Sequence, residues 1–351
     1  MTHPAVRTAL QLDFLRDIYF VQAKLTFEAM EPLTLPPFAG STIRGIFGHA
    51  LKDGLCGDRG ACQNECVHPD SCPYFSLFER NREQNEGGNL PKSMILDPPV
   101  PPELEEIAMG GEVCFPYEAT TAGRQGLAIL ENPHSSLVPE GNLFHVQVTL
   151  LGQAGSLLPI LVQVLKTRIL HANGRFRLWR VTDTGLGRRV LYEGDNHTIR
   201  MQPAMRQTLA PLMDDFGEVR KLTVGFVTPL RTRAGADYCF SPGQLGAAFW
   251  ETCLSRAGKI RDAFCTPSRD RLPWMELPEE RPRIAGGRLF KYVLPRMSHR
   301  QQAFMDFDGL VGHIVFEGRL KRLLPLALAA ESLHIGQKAT FGLGKIRCVI
   351  G

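Results

Sequence analysis

From Lys221 to the end of the chain the apolar residues change period several times, and that order limits the fold more than any other feature. Lys221–Leu230 (KLTVGFVTPL) has the Val, Phe and Thr content of a strand, and Ser241-Pro242 then opens a helical pattern through Leu245, Phe249, Cys253 and Leu254. After a Pro/Arg-rich loop at Pro267–Arg283, Arg288–Leu294 and Val311–Glu317 read as strands. Leu323–Leu333 reads as a helix, and Ile346–Ile350 as a last strand. The order β-α-β-β-α-β is that of the ferredoxin-like unit.

The N-terminal part reads as a looser copy. Ile18–Phe27 is a strand, Ser41–Leu55 a helix, Phe144–Leu151 a strand and Leu157–Leu170 a second helix, with Phe176–Tyr192 supplying a closing hairpin. An insertion with four cysteines and the proline-rich LDPPVPPELEE breaks the copy after its first helix. The expected fold is therefore α+β, two tandem ferredoxin-like (RRM-like) βαββαβ domains with a cysteine-bearing insertion in the first. The 351 residues divide as an N-terminal domain over 1–205 with the insertion at about 54–110, a linker over 206–218 within the proline-containing Gln202–Glu218 stretch, and a C-terminal domain over 219–351.

Composition excludes several classes. With 44% hydrophobic and 22% charged residues the chain can bury a core and is not expected to be disordered. The first thirty residues lack the features of a signal peptide, so a cytoplasmic location is expected. The longest apolar runs, Leu157–Leu165 and Leu323–Ala330, are about half the length of a bilayer span, and no membrane association is expected. The net charge of +4 is uneven: residues 73–120 carry nine acidic and three basic residues, whereas residues 281–351 carry twelve basic and four acidic, net +8. A concentrated positive segment is the footprint of a polyanion binder, or simply a solvated basic face.

On a helical wheel of about 100° per residue, Ile43, Ile46, Phe47, Ala50, Leu51 and Gly54 form the core stripe of the Ser41–Leu55 helix. The other side holds Ser41, Gly45, Gly48, His49 and Lys52. Each internal glycine costs about 1 kcal/mol relative to alanine, which suggests close approach of something to that face. A histidine and a lysine beside a phosphodiester can cleave RNA without metal, the imidazole moving the proton of the 2′-hydroxyl or leaving 5′-oxygen and the ammonium stabilising charge on the phosphate. His49 and Lys52 are the candidate catalytic residues, with Tyr19 on the preceding strand a third. The plainer alternative is a surface histidine, glycines that pack on a neighbour, and a core aromatic.

Cys56, Cys62, Cys66 and Cys72 form a C-x5-C-x3-C-x5-C pattern in a loop rich in Gly, Asp and Asn. Four thiols so close can converge on one ion, zinc or an iron–sulfur cluster, with His68 a substitute ligand. A structural zinc is the first expectation and a set of free thiols the alternative; no cofactor is expected to be needed for catalysis. Cys114, Cys239, Cys253, Cys265 and Cys348 are isolated and read as core residues. The run HIGQKATFGLGKIRC (His334–Cys348) interleaves Gly336, Gly342 and Gly344 with Lys338 and Lys345 around Phe341. Its GLGK superficially resembles a nucleotide-binding loop, but a strand follows it, so the helix N-terminus that would hold phosphate is missing. The loop could grip an RNA backbone, with Phe341 on a base, or be a tight connection with Phe341 in the core.

PPFAGSTIRGIFGHAL (Pro36–Leu51), the stretch SHRQQAFMDFDGLVGHIVFEG with the helix LLPLALAAESLHIG, and KATFGLGKI (Lys338–Ile346) together resemble CRISPR-associated precursor-RNA-processing endoribonucleases of the RAMP superfamily. The resemblance is to the branch with a cysteine-bearing insertion and a glycine-rich C-terminal loop. It implies paired ferredoxin-like domains and metal-independent cleavage of CRISPR precursor RNA within repeats, leaving a 2′,3′-cyclic phosphate. Such proteins often stay bound to the processed crRNA and can join an effector complex; a non-catalytic crRNA-binding subunit is the alternative. It also implies that His49 is the catalytic histidine, with Lys52 its electrostatic partner. Arg44, Arg300, Gly336, Lys338, Gly342, Gly344 and Lys345 are the implied RNA contacts. QKATF stands where a second glycine is usual.

Overall fold

The computed structural model describes residues 8–9, 11–56, 71–79, 90–111, 118–120, 128–131, 135–166, 170–171, 175–185, 188–194, 204–234, 237–239, 242–266, 275–298 and 303–351. In chain order its main elements are β1 (Tyr19–Ala29), α1 (Gly40–Leu55), β2 (Met94–Asp97), α2 (Pro102–Ala108), β3 (Glu118–Thr120), β4 (Ala128–Glu131), β5 (Leu143–Leu151), α3 (Leu158–Lys166), β6 (Arg175–Asp183) and β7 (Val190–Glu193). Then follow β8 (Lys221–Leu230), α4 (Pro242–Ile260), β9 (Arg283–Val293), β10 (Gly309–Glu317), α5 (Leu324–Leu333) and β11 (Ile346–Ile350).

The first sheet runs β7-β6-β1-β5-β2, every neighbouring pair antiparallel. The second contains β11-β8-β10-β9. Without the β7 hairpin arm, both sheets place the four strands of a βαββαβ unit in the order fourth, first, third, second. The chain is thus two ferredoxin-like units in tandem, as the element order implied.

Alternation explains how the first unit closes. Ala23, Leu25 and Phe27 of β1 face inward and are fully buried, and Phe27 contacts Phe47 of α1, Phe144 of β5 and Phe176 of β6. In the second unit Phe249 and Trp250 of α4 pack on Phe316 of β10. α3 ends at Lys166, short of the expected Leu170, which instead forms a brief bridge to β6. In the linker, Gln207–Thr208 pairs with Phe20 and Tyr19 of β1.

β2 is the element the sequence pattern concealed. It occupies four residues inside the span assigned to the insertion, so the inserted stretch lies between α1 and β2, ending before Met94 rather than near residue 110. A second excursion joins β2 to β5. Its α2 lies across β8 and β10, and its β4 adds to the edge of the second sheet, parallel to β9, with Leu130 opposite Tyr292 and buried. The N-terminal span of the chain therefore contributes to both sheets. Leu104 and Ile107 of α2 are buried with Leu130, Phe290, Phe307, Val311 and Leu343 in a core shared between the units.

α2 sits so close to the second sheet that the Ala108 carbonyl occupies the space a Cβ on Gly225 would need. Gly225→Ala should therefore push α2 outward and destabilise the protein by about 1–3 kcal/mol, read as a lower urea midpoint. An unchanged midpoint would mean that α2 is not held on β8.

Candidate RNA-cleavage site

α1 begins at Gly40, directly after the PPFA turn, and the structure separates its two faces as the wheel required. Ile43, Phe47, Ala50 and Leu51 are buried against the first sheet. On the other face His49 is exposed and Gly45, four residues earlier, has open space where a Cβ would stand. Gly48 is different: the ring of Phe78, on the π-helical turn Phe75–Glu79, would lie 3.2 Å from its Cβ. One of the two glycines is thus explained by packing, and the other leaves an open approach beside His49. Lys52 lies along the same side, with Nζ 4.5 Å from the centre of the Tyr74 ring.

Tyr19 is engaged elsewhere. The Arg206 guanidinium lies 3.8 Å from its ring centre, and its carbonyl accepts a hydrogen bond from Cys265 Sγ. Arg44, expected on RNA, is 9% exposed and lies between the rings of Phe78 and Phe341.

The glycine-rich loop turns out to be a joint between the units. Lys338, Gly336, Gly342 and Gly344 all have left-handed φ angles, and each of these glycines abuts protein backbone. A Cβ on Gly342 would collide with Pro98 and the Leu96 carbonyl of the first unit, while the Phe341 carbonyl occupies the Cβ position of Gly40 at the start of α1. Gly336 and Gly344 face the carbonyls of Arg231 and Ile335. The Phe341 ring packs tilted against Phe307, with centroids 5.3 Å apart, so it fills the shared core rather than offering a base platform. Lys338 remains half-exposed, with Nζ 4.1 Å from the centre of the Phe307 ring.

Lys345, one of the implied RNA contacts of the loop, points inward. Its Nζ is 3.2 Å from Oδ2 of Asp97 at the end of β2, and His334 Nε2 is 3.5 Å from Oδ1 of the same carboxylate. His334, at φ 48°, has Nδ1 3.2 Å from the Leu343 carbonyl. Thr228 Oγ1 donates to the Gly342 carbonyl and accepts from the Lys345 amide, pinning the loop to β8. Burial alone would raise the Asp97 pKa, but His334 and Lys345 outweigh it and lower the value to about 2. A carboxylate inside the apolar MILDPP run and a histidine in SLHIG were the only sequence signals of this contact, since a buried charge requires a partner.

Arg300, Cys62, Cys66, His68 and Cys114 lie outside the described residues. Cys56, at the C-cap of α1, and Cys72, packed against the first core, are half-buried. Cys239, Cys253 and Cys265 are buried as expected, and burial raises the pKa of each thiol.

Residues 224–346, the second ferredoxin-like unit, match the model of the CRISPR-associated endoribonuclease Cas6 family. The second unit is thus similar to the Cas6 endoribonuclease family. Residues 17–117 match the AF_1859 N-terminal domain. Sixty-five residues, 18% of this chain and 22% of the relative, are 32% identical to an uncharacterized protein of Archaeoglobus fulgidus. Among solved structures the fold is similar to a chain of a partial Cas6-RT-Cas1–Cas2 complex, at 10% identity and a TM-score of 0.53, covering 95% of this chain and 46% of that one. A second Cas6-RT-Cas1–Cas2 complex matches with the same score over 29% of its chain. A Thermus thermophilus Cas6 in a product complex matches at 15% identity and a TM-score of 0.50, covering 94% of this chain and 100% of that one. The chain spans less than half of the two larger chains it resembles and about a fifth of its curated relative in the aligned part. Among the described residues no helix is long and apolar enough to cross a membrane.

Because the Asp97 pKa is lower in the folded protein than its ordinary value of 3.8, its contribution to stability is complete above that value and disappears as pH falls toward about 2. Asp97→Asn should lower stability at pH 7 by about 3 kcal/mol, since it leaves Lys345 buried without its carboxylate. It should also flatten the acid limb of the stability curve between about pH 4 and 2. Urea titrations across pH check both; a variant with the wild-type acid limb would show that Asp97 is not ion-paired.

Proposed function

We propose that the protein is an endoribonuclease that cuts CRISPR precursor RNA within its repeats, by attack of a 2′-hydroxyl on the adjacent phosphate without a catalytic metal. The observation that carries this reading is the exposed His49 beside the open Gly45 face, in a chain whose second unit matches the Cas6 endoribonuclease model. His49 takes the proton of the attacking 2′-hydroxyl or supplies one to the leaving 5′-oxygen, so that the O5′–P bond breaks as the 2′-O–P bond forms. The products are a 2′,3′-cyclic phosphate and a 5′-hydroxyl. Lys52 stabilises the charge that builds up on the phosphate oxygens. Lys338 and Arg300 are proposed RNA contacts, whereas Lys345 and Arg44 act on RNA only through the shape of the protein. The processed crRNA stays bound, and other CRISPR effector subunits are the proposed protein partners. The alternative, a crRNA-binding subunit without activity, uses the same surfaces and makes no cut.

A structural zinc, or an iron–sulfur cluster in its place, is proposed at Cys56, Cys62, Cys66 and Cys72. Cys56 and Cys72 hold the two ends of that segment on α1 and on the first core. The metal's role would be to fix the loop, with no part in the cut.

Incubated with labelled repeat RNA in magnesium-free buffer, the wild-type protein should give one cut ending in a cyclic phosphate. His49→Ala should slow it by at least about a hundredfold with binding intact. Chelator is left out of one arm because it would strip the cysteine loop. Binding without a cut in the wild type would favour the subunit reading. Elemental analysis should find about one zinc per chain, or iron with labile sulfide for the alternative, and Cys62→Ser with Cys66→Ser should remove it; metal-free protein of unchanged stability would mean free thiols.

A further inference from the structure

The two sheets differ in what covers their second faces. The second sheet has α4 and α5 on one face and α2 on the other. Among the described residues the first has its helices, α1 and α3, on one face. At one end of its other face, Phe20, Ile95 and Leu151 are buried in the core formed with the second unit. Beyond them, beside the exposed Leu143, the exposed or half-exposed positions include Lys24 of β1, His145 and Gln147 of β5, and Trp179 and Arg180 of β6. These residues and Arg188 line a cleft of about 650 Å³.

A β-bulge builds this surface. Leu178 lies opposite Phe27 and Arg180 opposite Thr26, so Trp179 is an extra residue in β6. Without it Trp179 and Arg180 would point to opposite faces. With it both join the open face, while Leu178 and Val181 stay buried. The Arg180 guanidinium lies 4.2 Å from the centre of the Trp179 ring. Glu28 and Glu193 on neighbouring strands are tied to Arg177 and Arg180, and among the described residues neither Lys24 nor Arg188 makes a salt bridge. His145 Nδ1 is 3.2 Å from Thr26 Oγ1, and its pKa is lowered by burial and by Lys24, which leaves a neutral ring able to donate and accept.

A half-exposed indole beside unpaired cations and neutral hydrogen-bonding groups is what holds an unpaired nucleotide, by its base and by its phosphate. An acidic peptide would use the cations but not the indole. We propose that the open face of the first sheet binds an unpaired RNA segment of about two or three nucleotides, with one base stacked on Trp179. This site is separate from the His49 face of α1, and it rests on the preceding reading only in that the ligand is RNA.

The test uses the full chain carrying His49→Ala, titrated with a labelled hexauridine and with a blunt-ended repeat hairpin, read by fluorescence anisotropy. Adding Trp179→Ala should weaken hexauridine binding about tenfold and leave hairpin binding and thermal stability unchanged. Trp179→Phe should restore most of the loss. Hexauridine affinity that is unchanged in Trp179→Ala, or a wild-type face that takes a polyglutamate peptide and not the hexamer, would overturn the proposal. Either result leaves the cleavage reading intact. Cleavage that survives His49→Ala would sink that reading and leave this site standing.

Discussion

A single carboxylate ties the two halves of this molecule together. Asp97 ends the four-residue β2 of the first unit and meets His334 and Lys345 of the second, all three largely out of solvent. A buried charge is tolerated only when its partners are held in place, and here nearly every feature of the glycine-rich loop serves to hold them. Left-handed backbone at His334, Gly336, Lys338, Gly342 and Gly344 folds the loop back on itself. Thr228 fixes it to β8. Its tip then reaches Leu96 and Pro98 on one side and Gly40 on the other.

That joint explains the distribution of charge and function. Part of the basic excess near the C-terminus is used internally: Lys345 by Asp97, Lys291 by Asp308 and Arg283 by Glu317. The loop's effect on the site is mechanical, because the Phe341 carbonyl abuts the first residue of α1, the helix that carries His49. A rigid start to α1 presents the exposed histidine and the open Gly45 face in one orientation, as the proposed proton-transfer role of His49 requires. α2 and β4 strengthen the same joint from the other direction by carrying N-terminal residues onto the second sheet.

Much of this was legible in the sequence. The six elements of the second unit stood out because each has a long, consistent period, and the α1 wheel sorted buried from exposed residues correctly at Ile43, Phe47, Ala50, Leu51 and His49. β2 escaped because four residues between Ser93 and a proline run are too short to show a period. With β2 hidden, Asp97 had no visible partner, and Lys345 in a GLGK run looked like a phosphate ligand. The difference between a loop that grips RNA and one that grips its own protein lies in tertiary contact, which residue type alone does not encode. Trp179 was invisible for a similar reason: a bulge, set by register with Thr26 and Phe27, decides which face it joins.

The most direct measurement is a structure of the protein with a repeat RNA made uncleavable by a 2′-deoxy nucleotide at the cut site. The account predicts the scissile phosphate within hydrogen-bond reach of the His49 imidazole, with Lys345 still on Asp97 and no phosphate against Gly342 or Gly344. A scissile phosphate seated on the glycine-rich loop, with Lys345 swung out to it and His49 in solvent, would contradict it.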